Sequence, residues 1–183
     1  MSRIHPLALE NPTPQVKPLF EAVQRALGTV PNMMRTMAQS PAVLSGYLSL
    51  SGALAKGTLG GKAGEQIALL TAEENGCLYC ASAHTALGQL HGLDEHEISE
   101  AREGRAGVAK VQAALTLARS VIETRGHIGD ATLRAARESG LTDGEIGEVV
   151  AHVALNVFTN YFNSVAATEV DFPAVRAPKT LAV

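Results

Sequence analysis

Apolar residues recur three and four positions apart along nearly the whole chain, and this helical period constrains the fold more than any other feature of the sequence. Alanine and leucine are abundant, and the alternation typical of strands is rare. We therefore predict an all-α fold. Five glycines stand where a left-handed residue would end a helix: Gly28, Gly76, Gly92, Gly126 and Gly140. The predicted helices cover 17–27, 31–39, 41–56, 62–75, 77–91, 94–103, 107–125, 130–139 and 143–168.

The domain organisation follows from the lack of any internal divider. No low-complexity segment or long linker interrupts the sequence, so we predict a single all-helical domain over residues 1–183. Within it we distinguish an extended N-terminal arm over 1–19, a core over 41–105 that contains both cysteines, and C-terminal helices over 107–170. Four prolines in the arm remove backbone donors and disfavour helix there.

Two turns share the pattern Gly-Leu-x-acid-x-Glu-Ile. Asp94 with Glu97, and Thr142 with Glu145, have the spacing of a helix cap and its third-position carboxylate. We interpret the pattern as two similar turns between helices, with an ancient duplicated unit as the alternative.

Composition and charge exclude several classes of function. Fifteen basic and eighteen acidic residues give a net charge of −3, and no basic face stands out, so we expect no nucleic-acid partner. The longest uncharged stretch, 152–168, is interrupted by three asparagines, and the first residues lack the apolar core of a signal peptide. We therefore expect a cytoplasmic protein without membrane contact. Two cysteines are too few for a disulfide scaffold.

The most informative motif is Cys77-x-x-Cys80 followed by His84. If a helix begins near Asn75, these three side chains fall within a sector of about 60°. Both cysteines would then lie in the first turn, where the helix dipole favours a thiolate, so we expect an acidified pair. His84 is four residues after Cys80, the separation at which helix side chains meet.

Glu65 is the fourth candidate residue. It projects with the apolar side chains of the preceding predicted helix, where a carboxylate needs a partner. An imidazolium nearby would lower its pKa, so we hypothesise a Glu65–His84 proton relay that serves the cysteine pair.

Less reactive interpretations of the same residues remain open. A structural zinc site needs four protein ligands and the motif supplies three, so we predict no metal; inert buried thiols are a second alternative.

His91 lies in a last helical turn, where a cation is favoured. The uncharged stretch contains His152 and three asparagines that would line a pocket or form hydrogen bonds in the core or at a subunit interface: Asn156, Asn160 and Asn163. Three methionines are interpreted as core residues, or as a channel lining near the thiols: Met33, Met34 and Met37.

The spacing of Glu65, the cysteine pair and His84 resembles the core of the alkyl hydroperoxidase D-like group of the carboxymuconolactone decarboxylase superfamily. Looser similarity to its peroxidase-related branch covers 30–33, 40–42, 160–163 and 168–173.

The resemblance implies a helical fold with the Cys-x-x-Cys at a helix N-terminus, and a homo-oligomer (dimer, trimer or hexamer). It also implies that Cys80 attacks a small peroxide, that Cys77 resolves the sulfenic acid as a disulfide, and that Glu65 and His84 transfer protons. An external dithiol or lipoyl-type protein would supply the electrons, with no cofactor. Tyr79 replaces the histidine that precedes the second cysteine in the family, and a phenol is a poor base at pH 7, so we expect slower or differently tuned turnover.

Together these observations predict a thiol-dependent peroxidase. The alternatives are a general thiol–disulfide oxidoreductase and a non-catalytic redox-sensing helical oligomer. A lactone-acid decarboxylase is disfavoured, because it needs basic groups for its substrate and has no use for a dithiol. The spacing itself leaves open which cysteine attacks, since in thioredoxin-type sites it is the first.

Overall fold

A computed structural model of the protein describes residues 2–179, and the regular structure in this range is helical. The helices are α1 (Lys17–Leu27), α2 (Asn32–Met37), α3 (Pro41–Leu54), α4 (Gly60–Glu74), α5 (Leu78–Leu90), α6 (Glu95–Arg102), α7 (Ala109–Thr124), α8 (Asp130–Glu138) and α9 (Asp143–Ala166). All nine predicted helices are present, with ends within two residues of the predicted ones. The all-α prediction is confirmed.

Local signals in the sequence account for most helix ends. The five predicted stop glycines all have positive φ, from 67° to 94°, which glycine adopts without steric cost. Both predicted capping boxes are formed, Asp94 with Glu97 at α6 and Thr142 with Glu145 at α9. Each box satisfies two backbone amides that a helix start would otherwise leave unpaired.

The N-terminal arm is irregular from residue 2 to Val16, and α1 begins at Lys17, inside the range predicted as arm. The arm is held by backbone hydrogen bonds from Arg3 to the carbonyl of Ala166 (2.7 Å) and from Leu7 to that of Arg35 (3.1 Å). It therefore lies against the C-terminal end of α9 and against α2.

Helix α4 is the centre of the fold and is surrounded by α5, α6, α7 and α9. Ile67, Leu69 and Leu70 are fully buried although they point to different sides, as expected of a helix enclosed by others. Burial of each such side chain contributes about 1.5–3 kcal/mol. One apolar cluster lies towards α1, α2, α3 and α5, and a second lies towards α7, α8 and α9.

The last described segment, residues 169–179, is called the C-terminal strap here. It has no helix and crosses the molecule in an extended path. The Asp171 carboxylate accepts the backbone N–H of Asn32 (2.7 Å), and Arg176 lies 3.4 Å from the carboxylate of Glu73. The strap is therefore bound to α2 and to the end of α4.

Helix α9 is the longest helix and carries an apolar stripe on its outer side. Val150, Phe158, Tyr161 and Val165 are exposed along it. Between residues 2 and 179, no helix combines the length and apolarity that crossing a bilayer requires.

Candidate active site

The cysteine motif lies at the start of α5, next to the central helix α4. Gly76 ends α4 in the left-handed region, and Cys77 in an extended conformation is the N-cap of α5. The backbone N–H of Cys80 donates to Cys77 Sγ (3.3 Å), so the first sulfur takes the place of a capping oxygen. Cys77 therefore precedes the first turn rather than lying inside it as predicted, and Cys80 alone occupies the turn.

The two cysteines are free thiols whose sulfurs lie 2.7 Å apart, with Cys77 donating to Cys80. Cys77 is 7% exposed and Cys80 is 2% exposed. This hydrogen bond, together with burial, raises the pKa of Cys77. Burial opposes ionisation of Cys80 as well, but the Cys77 hydrogen bond and the charge of His84 outweigh it and lower the pKa of Cys80 to about 7. The expectation of an acidified pair is thus wrong for Cys77, because its thiol donates to Cys80 and would lose this hydrogen bond on ionising.

Glu65 and His84 meet as hypothesised. Glu65 Oε2 lies 2.8 Å from His84 Nδ1, and the side chains are only 16% and 18% exposed. Burial acts to lower the pKa of His84, but the charge of Glu65 and its hydrogen bond raise it above the ordinary value. An imidazolium beside Cys80 stabilises the thiolate and is also a proton donor.

Helix α9 contributes the side-chain amides of two asparagines to the site. The sequence predicts for these residues a place in a pocket, in the core or at a subunit interface. Asn163 Nδ2 donates to Cys80 Sγ (3.3 Å) and also lies 3.2 Å from Met33 Sδ. Asn160 Oδ1 accepts from Asn75 Nδ2 (2.9 Å). The helical spacing of the asparagines was visible in the sequence, but their proximity to a sulfur 83 residues earlier was not.

The hydroxyl of Tyr79 is occupied by hydrogen bonds to groups other than the two sulfurs. Its hydroxyl donates to Asp171 Oδ1 (2.8 Å) and accepts from the backbone N–H of Met33 (3.1 Å), and its ring packs edge-on against Phe172. Burial raises its pKa, so the phenol stays protonated at neutral pH. Tyr79 thus links the cysteine motif to α2 and the strap.

A cavity of about 210 Å³ opens beside Cys80. Cys80, His84 and Glu65 line it, whereas Cys77 does not. Its apolar lining residues include Met33, Met34, Leu54, Leu87, Leu155 and Phe172. Both methionine interpretations apply to Met33 and Met34, which are buried and also line this cavity, whereas Met37 is buried and does not line it.

Seven further polar residues line the same cavity: Tyr47, Ser51, Tyr79, His91, His152, Asn156 and Thr159. Tyr47 was not singled out from the sequence; burial and the charges of Glu65 and Cys80 raise its pKa to about 12. Burial lowers the pKa of His152 and keeps it neutral. Within residues 2–179, no three His, Cys, Asp or Glu side chains are arranged as ligands of one metal ion.

Comparisons with known proteins concern the family and the fold. Residues 41–123 match the carboxymuconolactone decarboxylase family. A peroxidase-related protein from Ralstonia eutropha JMP134, described as an alkylhydroperoxidase AhpD core, has a TM-score of 0.84 at 24% identity, covering 93% of this chain and 92% of that one. A peroxidase-related protein from Silicibacter sp. TM1040 has a TM-score of 0.79 at 24% identity, covering 91% and 92%.

A third similar structure has a different activity in its name. It is the debrominase Bmp8, solved as a cysteine-to-alanine variant with 2,3,4-tribromopyrrole, with a TM-score of 0.77 at 19% identity and coverage of 93% and 92%. A comparison with curated protein sequences gives no match.

Proposed function

Because residues 41–123 match the carboxymuconolactone decarboxylase family and the fold is similar to that of an alkylhydroperoxidase AhpD core, we propose that the protein is a thiol-dependent peroxidase acting on small peroxides. One observation carries the proposal. Cys80 has a pKa of about 7, lines the cavity, and lies next to both a second thiol and a carboxylate-supported histidine. These groups provide a nucleophile, a resolving thiol and a proton donor.

In the first step the Cys80 thiolate attacks the terminal oxygen of the peroxide. The S–O bond forms as the O–O bond breaks, the sulfur is oxidised to a sulfenic acid, and an alkoxide leaves. The His84 imidazolium, held by Glu65, gives this alkoxide its proton. Cys80 takes this role rather than Cys77, because Cys80 faces the cavity and has the lower pKa.

In the second step the Cys77 sulfur attacks the Cys80 sulfenic acid, which forms the disulfide and releases water. The 2.7 Å separation of the sulfurs means that little rearrangement is needed. An external dithiol then reduces the disulfide. Both sulfurs are buried, so a reductant that presents its dithiol on a long arm, as a lipoyl-type protein does, fits this site better than a dithiol on a flat protein surface.

The test is the rate at which reduced protein loses its thiols to tert-butyl hydroperoxide at pH 7, followed by mass spectrometry. We expect rapid loss of two hydrogens through an intramolecular Cys77–Cys80 disulfide. Cys80→Ser should abolish peroxide consumption, and Cys77→Ser should permit one oxidation without efficient recycling. Ser82→Ala is the matched control, because this buried hydroxyl has no hydrogen-bond partner among the described residues.

Other results would assign another function. Thiol loss no faster than that of free cysteine would reject the peroxidase. Faster oxidation by a protein disulfide than by peroxide would indicate a general thiol–disulfide oxidoreductase. A change of oligomeric state on oxidation, without turnover, would indicate a redox sensor.

The second candidate activity is reductive debromination of a small aromatic compound. The named activity of Bmp8 suggests it, and the apolar cavity beside Cys80 is compatible with such a substrate. The dithiol would supply the two electrons needed to replace bromine by hydrogen, leaving bromide and a disulfide. Bromide release matched by disulfide formation, with slow peroxide turnover, would favour it over the peroxidase.

We propose further that the protein is a homo-oligomer through the exposed stripe of α9. Val150, Phe158, Tyr161 and Val165 form one continuous apolar row at helical spacing, and such rows on a protein surface mark interfaces. Light scattering coupled to size exclusion should give a mass above that of one chain. Val165→Glu should lower this mass, and an unchanged mass in that variant would reject the stripe as the interface.

A further inference from the structure

Two buried asparagines beside Cys80 each have one polar atom without a partner. Asn160 is 1% exposed and Asn163 is 4% exposed. Asn160 Nδ2 and Asn163 Oδ1 find no hydrogen-bond partner within residues 2–179. An unpaired buried polar atom costs about 1–3 kcal/mol, so two of them beside Cys80 need a polar partner, such as a water molecule or a group formed in the reaction.

The orientation of both amides is fixed by their other atoms. Asn163 Nδ2 lies between Cys80 Sγ and Met33 Sδ, at 3.3 Å and 3.2 Å. Asn160 Oδ1 accepts from the side-chain Nδ2 of Asn75, the C-cap residue of α4. A flipped amide at either position would lose these contacts. The free acceptor of Asn163 and the free donor of Asn160 are therefore fixed features of the site.

The two residues lie three positions apart on α9, so their side chains share one face of the helix. Asn163 hydrogen-bonds Cys80 Sγ directly (3.3 Å), and the Asn160 amide also helps to lower the pKa of Cys80 without forming a full hydrogen bond to it. The sulfur of Cys77 hydrogen-bonds Cys80 Sγ and the backbone N–H of Cys80, and among the described residues neither asparagine donates to it. The amide pair thus distinguishes the second sulfur from the first.

We propose that Asn160 and Asn163 form a binding site for the oxygen atom that Cys80 receives from the peroxide. The new S–O–H group has one hydrogen to donate and lone pairs that accept. Asn163 Oδ1 accepts that hydrogen, and Asn160 Nδ2 donates to the oxygen. Before oxidation, Asn163 Nδ2 stabilises the thiolate through its hydrogen bond to Cys80 Sγ.

The chemistry balances without a further reactant. The thiolate and the hydroperoxide become a sulfenic acid and an alkoxide, which takes its proton from the His84 imidazolium. Further oxidation requires the sulfenic acid to lose its O–H proton and meet a second peroxide. Because Asn163 Oδ1 holds this proton in place, the amide site keeps the sulfenic acid neutral until Cys77 displaces water.

The assignment presupposes the peroxidase cycle proposed above, and the test keeps the two separable. In a Cys77→Ser background the sulfenic acid has no resolving thiol, so it can be trapped with dimedone and the adduct quantified by mass spectrometry. Excess peroxide then converts the untrapped sulfenic acid to sulfinic acid. We expect this second oxidation to be about tenfold faster in Asn160→Ala and Asn163→Ala, as the loss of one hydrogen bond of about 1.4 kcal/mol implies.

A second readout follows the thiolate itself. Titration of the thiolate absorbance should show the pKa of Cys80 rising in Asn163→Ala from about 7 towards the ordinary value of about 8.5, with a smaller rise in Asn160→Ala. Thr71→Val is the control: it is fully buried on α4, its hydroxyl bonds only the carbonyl of Ile67, and it does not line the cavity. It should change neither readout. Circular dichroism checks folding, and Asn160→Ala, which keeps both sulfur contacts of Asn163, carries the test if Asn163→Ala does not fold.

Unchanged rates of sulfinic acid formation in both alanine variants, with the pKa of Cys80 also unchanged, would overturn the amide site. Failure of the peroxidase proposal would look different. The Cys77→Ser protein would then form its sulfenic acid no faster than free cysteine does. The slow second oxidation under excess peroxide would still report on the two asparagines.

Discussion

Replacing Glu65 with Gln tests how the site is charged, because the change keeps the shape of the side chain and removes only its charge. The Glu65–His84 contact is 2.8 Å long and largely shielded from water. A hydrogen bond between charged groups contributes about 1.5–3 kcal/mol. At about 1.36 kcal/mol per pKa unit, the substitution should lower the pKa of His84 by about one to two units.

The sign of the effect follows from the two opposing causes. In the native protein the carboxylate outweighs burial, so the imidazolium persists as the pH rises past the ordinary histidine value of about 6.5. In Glu65→Gln burial remains and the carboxylate charge is lost, so the pKa of His84 falls below that value. At pH 7 the ring is then mostly neutral, and Cys80 loses the positive charge that stabilises its thiolate. We expect peroxide consumption at pH 7 to fall about tenfold or more. The pH optimum should move upward, because Cys80 must then ionise without a neighbouring imidazolium.

The assay combines two measurements on the same samples. Proton NMR of the histidine rings gives the pKa of His84, and thiol loss to tert-butyl hydroperoxide between about pH 5 and pH 9 gives the rate profile. Glu95→Gln removes the same charge from an exposed position on α6 and serves as the control. An unchanged pKa of His84, or an unchanged rate profile despite a lowered pKa, would refute the relay.

Three further substitutions have distinct expected outcomes. Tyr79→Phe should cost about 1–3 kcal/mol of unfolding free energy in a urea titration, because the hydroxyl loses two hydrogen bonds. The thiol alkylation rate should stay within about twofold of the native rate. A large loss of that rate in a stable variant would show that the hydroxyl acts on the thiols. Glu73→Gln leaves the buried Arg102 guanidinium without its carboxylate and should cost about 3–5 kcal/mol of unfolding free energy at neutral pH. Hydrogen bonds outweigh burial and lower the pKa of Glu73, so the native contribution is lost as the pH falls through that lowered pKa. Equal urea midpoints of both proteins at pH 7 would contradict this. Gly64→Ala places a Cβ 2.8 Å from His152 Cε1 and should displace that ring into the cavity, so the rate with cumene hydroperoxide should fall more than the rate with hydrogen peroxide; an equal change for both would argue against it.

The fold was predictable because its signals are local. Helical periodicity and stop glycines act over a few residues, and they located all nine helices found between residues 2 and 179. The position of α5 could not be fixed to the residue, because Cys77 caps the helix with its own sulfur. A cysteine is an uncommon cap, and ordinary capping rules favour Ser, Thr, Asp and Asn.

The site was predictable only in part, and the division follows the distance between partners in the sequence. His84 follows Cys80 by four residues, and Glu65 lies on the adjacent helix, so the motif itself suggested this group. Asn163, by contrast, approaches Cys80 only through the packing of α9 against α5. The unequal pKa values of the two thiols also depend on which sulfur donates to the other, and spacing cannot specify that direction.

The origin of Asn163 in the last helix has a consequence for the timing of synthesis. Cys80 leaves the ribosome 83 residues before the asparagine that donates to its sulfur, and the strap that fixes Tyr79 follows later still. Until then Cys80 lacks this hydrogen bond, one of the contacts that lower its pKa, although Cys77 and His84 have already been synthesised. The full lowering of the Cys80 pKa therefore waits until α9 has been made and has docked.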